Sequence, residues 1–518
     1  MTVTQYSNPI LRGMYPDPSI VRVDNYYYMV NSTFEYYPGI ALSRSSDLLN
    51  WEQLPSIASK HSQANLTGSK SNEGIFAVCI RYHAGSFYVI TTNFAEFKTF
   101  IITGKLNTNG AIVWSDKRIN IDINGIDPDI FFENDHTFVQ YTGYLKQGTK
   151  ALQQVEIDLK TGKILVGPKV LTAGTGGRDV EGPHIIKNKD YYYLLAAEGG
   201  TGLGHMITIF RSKSIWGPFE GCPINPIFTN RDRADEPIQN IGHGDLFKDV
   251  NGNWWLVCLG TRPANVNFKT FTNTGRETLL YPVQWDNDWP IINNGVPTQT
   301  VDLTKFPKHA LAVKEQSIHE FNDNFKTPVL KPQWVSLRDS LTDRISINNE
   351  SLTLTGSDAD LTSIETPSFL GIRQSEQNEE FVVTIDPEQV KLTTGQFGLA
   401  LTIDNRHFAS LTIKKNKNQY EIIEHIQVFD LVVDKVIAKS DNLPTTIKII
   451  NHPTSKEFIM KTIDKQEFSF KTSAMHFSNE AIGALNTGDM FGIYALGNDT
   501  KVTITSAKRS TLEEENIQ

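Results

Sequence analysis

An acidic or polar pivot, a short apolar strand, a turn and an aromatic strand follow one another five times between Pro16 and Val257. The copies read PDPSIVRVDNYYYMV from Pro16, AVCIRYHAGSFYVI from Ala77, DPDIFFENDHTFVQY from Asp127, EGPHIIKNKDYYYLL from Glu181 and HGDLFKDVNGNWWLV from His243. Aligned on the apolar strand, positions 17, 77, 127, 182 and 243 are equivalent, a spacing of roughly 50–60 residues that suits blades of about four strands around a central channel. Each pivot begins the strand nearest the axis. Asp17, Asp127, Glu181 and His243 are therefore expected to converge in one small polar pocket.

Turn chemistry supports the strand pattern. Asp24-Asn25, Ala84-Gly85, Asn188-Lys189 and Asn251-Gly252 each stand just before an aromatic strand. Trp51 and Trp216, each shortly after a strand ending in Ser-Arg-Ser or Arg-Ser-Lys, are expected to pack between blades. The segment TLLYPVQWDNDWP (Thr278–Pro290) is expected to close the ring by returning a strand to the first blade. At 518 residues the chain exceeds one ordinary core. We expect an all-β architecture: a five-bladed propeller over 1–300, a linker over 301–320 rich in Pro, Asn and Thr, and a concanavalin-like β-sandwich of jelly-roll type over 321–518. The last residues, STLEEENIQ, read as a loose tail.

Composition narrows the partners. A net charge of −9 with no basic stripe argues against nucleic acid. The start, MTVTQYSNPI, lacks the features of a secretory signal, and no apolar run approaches bilayer length, so no membrane is expected. Cys79, Cys222 and Cys258 are odd in number and far apart, which fits free thiols in a reducing, cytoplasmic setting.

The acids carry the chemistry. A carboxylate facing a carboxylic acid across a sugar-sized gap is what glycosidic hydrolysis requires. One takes a proton from water; the other gives one to the leaving oxygen, an assistance of about 10²–10⁴ in rate. Asp17 lies between two prolines that restrict its backbone, which suits a rigid general base. Glu181 is one methylene longer, and burial near other acids would raise its pKa, as a general acid needs. Asp127 would supply that field. Arg276 could reach a substrate hydroxyl or a pocket carboxylate, and Phe34 and Phe76 could stack on a sugar ring. Ala77 is the second pivot. The glycine-rich stretches from Gly174 and from Gly199, the latter holding Thr201, lack the helix and Lys-Ser/Thr of a phosphate cradle; close backbone approach to a ligand is the expected role. His243 could bond waters, touch substrate or hold a divalent cation such as Ca2+. Asp129 and Asp245, each two residues past a pivot, could add charge for such an ion, but the reaction itself needs no cofactor.

The stretches NPILRGMYPDPSIVRVDNYYYMVNSTFEYYPG, GIDPDIFF, EGPHIIKNKDYYYLLAAEGGTG, IGHGDL and TGRETLLYPVQW resemble glycoside hydrolase family 43. The sandwich resembles the accessory domain of that family's β-xylosidases. The resemblance implies single-displacement hydrolysis with inversion, with Asp17 as base, Asp127 as pKa modulator and Glu181 as acid. It also implies that Arg276 and His243 hold the sugar and the channel waters. One departure stands out: many relatives read Trp-Ala-Pro-Asp where this chain has Phe76-Ala77-Val78-Cys79. The implied activity is release of terminal xylose from β-1,4-xylo-oligosaccharides. Alternatives are an α-L-arabinofuranosidase on arabino-oligosaccharides, an enzyme with both activities, or a non-catalytic carbohydrate-binding propeller. Assembly as a homodimer or tetramer is a further implication.

Overall fold

Turn residues with left-handed backbone, at Asp24, Ala84, Asn134, Lys189 and Gly252, fold each apolar strand back onto the aromatic strand that follows it. The result, in a computed structural model describing residues 2–145, 148–266, 269–317 and 320–512, is five antiparallel sheets in succession. Their inner strands are Ser19–Val23, Ile75–His83, Gly125–Glu133, Glu181–Asn188 and Gln239–Lys248. Each pairs with the aromatic strand of its own copy and packs beside the inner strands of its two neighbours, so the first strand meets the last and the ring is complete. Four blades have four strands and the second has five. Trp51 joins the core shared by blades one and five, and Trp216 of blade four stands edge-on to Phe138 of blade three at 5.7 Å. The tryptophans do pack between blades.

The closure differs from expectation. Glu277–Asp286 does not return to blade one: it pairs with Trp254–Thr261 inside blade five, and Trp289–Ile292 follows it there. The N-terminal segment closes the ring instead. Asn8 donates to Leu280 O and accepts from Leu280 N, Tyr6 Oη donates to Leu280 O, and Ile10 N donates to Thr278 O. Side-chain amides that mimic a strand edge do here what an exchanged strand would do.

The segment read as a linker is also not loose. Thr300–Asp302 pairs with Gln5–Ser7, and Val301, Leu303, Phe306, Ala310, Ala312 and Val313 are buried in the core of blades one and five. Pro, Asn and Thr there shape short 3-10 turns over apolar anchors, a pattern without the period that would announce a strand or helix. Of the tail, Ser510 and Thr511 end the strand Lys501–Thr511; residues 513–518 lie outside the described residues.

From Phe321 an eight-stranded and a six-stranded antiparallel sheet enclose a second core around Phe381, Leu411, Phe458 and Phe491. The sandwich meets the propeller along an apolar seam: Met14, Phe34 and Tyr36 pack with Val335, Phe369, Phe408, Met490 and Tyr494. A short strand, Ser336–Leu337, pairs with Tyr36–Tyr37 across it. Burying each such side chain stabilises by about 1.5–3 kcal/mol, so the two bodies hold each other firmly beside Phe34. Among the described residues, no helix is long and apolar enough to cross a membrane.

Candidate active site

The pivots are backbone irregularities. Ladder register shifts in blades two to five, between Ile75 and Val78, Ile126 and Asp129, Glu181 and His184, and Gly242 and Asp245. Each shift brackets a pivot. Asp17, Asp127, Gly182 and His243 have φ of 51°, 51°, 60° and 45°. A bulge with left-handed backbone turns a side chain out of the ladder, and here it aims Asp127 and His243 into the mouth of the channel; Asp17, just before the regular strand Ser19–Val23, has the same left-handed backbone without a bulge. For non-glycine residues this costs about 1–3 kcal/mol each, which the surrounding ring supports. Gly182 serves differently: a Cβ there would lie 2.9 Å from the His243 ring. Glycine lets that ring close against the backbone beside Glu181.

The three acids meet as expected, in unequal surroundings. Asp17 is buried, which alone would raise its pKa. Arg276 and a hydrogen bond from Ser32 outweigh that and hold it below the usual aspartate range. Arg276 donates from Nη1 to Oδ1 at 3.0 Å and from Nη2 to Oδ2 at 3.4 Å, and Ser32 Oγ donates to Oδ2 at 2.6 Å. Asp127 is pushed well up by burial and by the Glu181 and Asp17 carboxylates. Glu181 is raised by burial against the opposing pull of Lys150, whose Nζ lies 2.9 Å from Oε2 and 3.3 Å from Asp179 Oδ1. His243 Nδ1 is 3.7 Å from Asp17, and burial drops its pKa to about 3, so it is a neutral imidazole.

Arg276 also donates to Thr201 Oγ1 at 3.3 Å and lies over the Phe34 ring, 5.6 Å from its centroid; its Nε is buried without a partner. Phe34 meets Phe76 edge-on at 5.5 Å, and Phe76 stacks on Phe94 at 4.4 Å. The wall that a larger indole would form is thus built from several phenyl rings. Ala77 contributes its carbonyl to Thr91 Oγ1 at 3.1 Å. The Gly199–Gly204 loop brings Thr201 to the site, but the loop from Gly174 turns its amides onto the protein itself. Its amides at Thr175 and Gly177 close on the carboxylate of Glu198, a buried residue of the protein itself.

Beneath the pivots lies a second tier. Ser19, Cys79, Asp129, His184 and Asp245 each stand two residues past a pivot, on the same strand face, and gather around Arg81. Arg81 Nη2 is 2.9 Å from Asp129 and 3.1 Å from His184 Nδ1, and Nη1 is 2.7 Å from Asp245 and 3.1 Å from Ser19 Oγ. The Cys79 thiol donates to Asp129 Oδ1 at 2.8 Å. Cys79, Asp129 and His184 come close enough together to resemble a metal site. The Arg81 guanidinium already lies between both carboxylates and ion-pairs with each, and Asp17, the acid beside His243, is held by Arg276. The axis is therefore built around an arginine, and the donor set does not fit the divalent cation considered from the sequence. Sequence reasoning missed Arg81, Lys150, Asp179, Ser32 and Phe94; only the even spacing of the five second-tier positions past their pivots pointed toward the inner tier.

The sandwich frames Arg276 from outside. Asn273 Nδ2 donates to Ala474 O, Phe477 O and Asp489 Oδ2, and Asp489 N donates to Asn273 O. Gly275 passes so close to Thr487 and Gly488 that a Cβ would sit 2.9 Å from Thr487 O. Glu277 is gripped by Arg262, which also pairs with Glu376 of the sandwich.

A five-bladed ring with carboxylates of opposed proton affinity at the channel mouth defines a propeller glycosidase. Comparison with known proteins agrees: the profile for glycosyl hydrolases family 43 matches residues 6–290, and that for the beta-xylosidase C-terminal concanavalin A-like domain matches 322–508. The chain belongs to glycoside hydrolase family 43. It is 35% identical over 511 residues to a non-reducing end alpha-L-arabinofuranosidase of Bacteroides ovatus, covering 95% of this chain and 92% of that one. It is 34% identical to a xylosidase/arabinosidase of Butyrivibrio fibrisolvens, covering 95% and 96%. A crystal structure of xylan beta-1,4-xylosidase from Bacillus halodurans superposes with TM-score 0.87 at 26% identity, covering 97% and 99%.

Proposed function

We propose that the enzyme removes terminal D-xylose from β-1,4-xylo-oligosaccharides by single displacement with inversion. The observation that carries this reading is the asymmetry of the acids: Asp17 held ionised by Arg276 and Ser32, Glu181 raised toward the protonated form. Water attacks the anomeric carbon of the bound xylose and passes its proton to Asp17 as the new C–O bond forms. The glycosidic C–O bond breaks on the opposite face, and Glu181 gives its proton to the departing oxygen. Asp127 and Glu181 share one buried pocket in which ionisation of either disfavours ionisation of the other, and Arg276, with its unpartnered Nε, serves a sugar hydroxyl. The Arg81 tier lies two residues past the pivots on the inner strands and holds Asp129 and Asp245 in place. Three free, buried thiols support a reducing, cytoplasmic setting with small imported substrates.

The names of the relatives favour a second activity, release of terminal L-arabinofuranose, because the two sugars offer similar hydroxyl arrangements to one pocket. Matched 4-nitrophenyl β-D-xyloside and α-L-arabinofuranoside assays rank them; a far higher rate on the arabinofuranoside reverses the ordering. For the acid, xylobiose is the decisive substrate, since its leaving alkoxide needs a proton while nitrophenolate does not. Glu181→Gln is expected to cut xylobiose hydrolysis by about 10²–10⁴ and spare the aryl xyloside far more, whereas Asp17→Asn cuts both. Equal losses on both substrates for Glu181→Gln would remove it from the acid role.

A further inference from the structure

The sandwich carries an open groove of about 590 Å3 on the outer face of its six-stranded sheet, apart from the catalytic pocket. That volume lies within the range of small-molecule sites, about 300–1,000 Å3. Its floor includes Gln396, Ser410, Ile423 and His425, and its rim Asp358, Asp360 and Asp434. His425 stacks on Phe408 at 5.1 Å with rings 14° from parallel, and its Nε2 is buried without a hydrogen-bond partner. The rim acids are each oriented separately. Asp358 accepts from Asn498 and Asp360 from Thr362, while Asp434 lies 3.6 Å from His425 Nδ1. Among the described residues they form no chelating group, the only such cluster being Cys79, Asp129 and His184. Three carboxylates against one lysine, Lys414, disfavour phosphates and acidic ligands, and the hydroxyl and amide lining disfavours an apolar one. Rim carboxylates as acceptors and the hydroxyl and amide groups of Thr362, Thr394, Gln396 and Ser410 match a neutral, polyhydroxylated ligand.

We propose that this groove is a second, non-catalytic carbohydrate site that holds pentose units of the substrate. The proposal rests on the glycosidase reading for its choice of sugar. Two links tie the groove to the catalytic mouth. Phe408 and Tyr494, which line it, share an apolar cluster with Phe34. On the rim, Thr362 O accepts from Asn405 Nδ2, and Asn405 Oδ1 accepts from Ser71 Oγ of the propeller at 3.1 Å. A chain held here keeps its neighbours at high local concentration beside the pocket.

The test uses the full chain. In a Glu181→Gln background, xylohexaose titration by calorimetry is expected to give two sites, falling to one with His425→Ala or Asp434→Ala. Asp434 is largely exposed, so its variant keeps the fold even if the His425 variant does not. In the active enzyme, Asp434→Ala is expected to leave the aryl xyloside rate unchanged and to lower the rate on soluble arabinoxylan by roughly tenfold. A second xylohexaose site assigns the groove to soluble oligosaccharides. A single site, with arabinoxylan gel retardation that Asp434→Ala abolishes, assigns it to polymer. One xylohexaose site together with retardation and arabinoxylan rates untouched by Asp434→Ala overturns the proposal. An enzyme inert toward both aryl glycosides would instead refute the glycosidase reading and leave the binding stoichiometry readable.

Discussion

Replacing Lys150 with methionine should move the alkaline limb of the pH profile upward. Lys150 Nζ is 2.9 Å from Glu181 Oε2, and both side chains are partly buried. At an effective permittivity of about 20 this separation corresponds to about 6 kcal/mol of attraction, an upper bound given partial solvent access. Opposite charges at such range shift a carboxyl by about 1–3 units, or about 1.4–4 kcal/mol. Lys150 stabilises ionised Glu181, whereas a general acid works in its protonated form. Activity therefore falls as pH rises through the pKa of Glu181, and removing the cation carries that fall to higher pH. Asp179, left uncompensated, pushes the same way. We expect a shift of about 1–2 units in kcat/KM for xylobiose measured from pH 4 to 9. The acid limb should stay in place because Arg276 and Ser32 set Asp17. An unmoved or lowered alkaline limb would refute the role given to Lys150.

Glu35, buried beside Phe34, is raised from 4.5 to about 7 by burial, against Arg338 and the Asn72 amide. The folded state thus holds an extra proton between those values, and stability falls as pH rises through that window by about 3 kcal/mol in all. Urea unfolding should show Glu35→Gln gaining on the wild type by that amount from pH 5 to pH 8; a constant gap contradicts it. Asp489→Ala strands Lys456, its partner at 2.8 Å in the buried seam, and should cost about 3–5 kcal/mol, whereas an apolar Asp489→Leu/Lys456→Met pair recovers most of it. A double-mutant cycle measures the difference, and equal costs for the single and the pair would contradict the account. A chain ending at residue 320 exposes Met14, Phe34 and Tyr36 and frees the Asn273–Glu277 segment; it should be inactive on xylobiose, and full activity would show that the sandwich does not position Arg276.

How far the residues spoke for themselves depended on whether their signal was local. The Asp17, Asp127, Glu181 and His243 pivots were legible because each sits at the same place in a repeated strand pattern, and the repeat alone implies a ring. The β-bulges at Asp127, beside Glu181 and at His243 were not legible, since a register shift is a property of two strands and not of one. Ring closure was misplaced for a related reason: Asn8 satisfies Leu280 through side-chain hydrogen bonds that no periodicity announces.

The amino-acid order determined by itself that five similar blades form and that three of them carry an acid at their leading position, because strand period and turn chemistry are written within a dozen consecutive residues. Only the tertiary structure decided how those acids are charged. Arg81, Lys150 and Arg276 come from three different blades, and each reaches a carboxylate on another blade or another strand of its own. Proton affinity follows from burial and from such distant charges, and both exist only once the ring has closed.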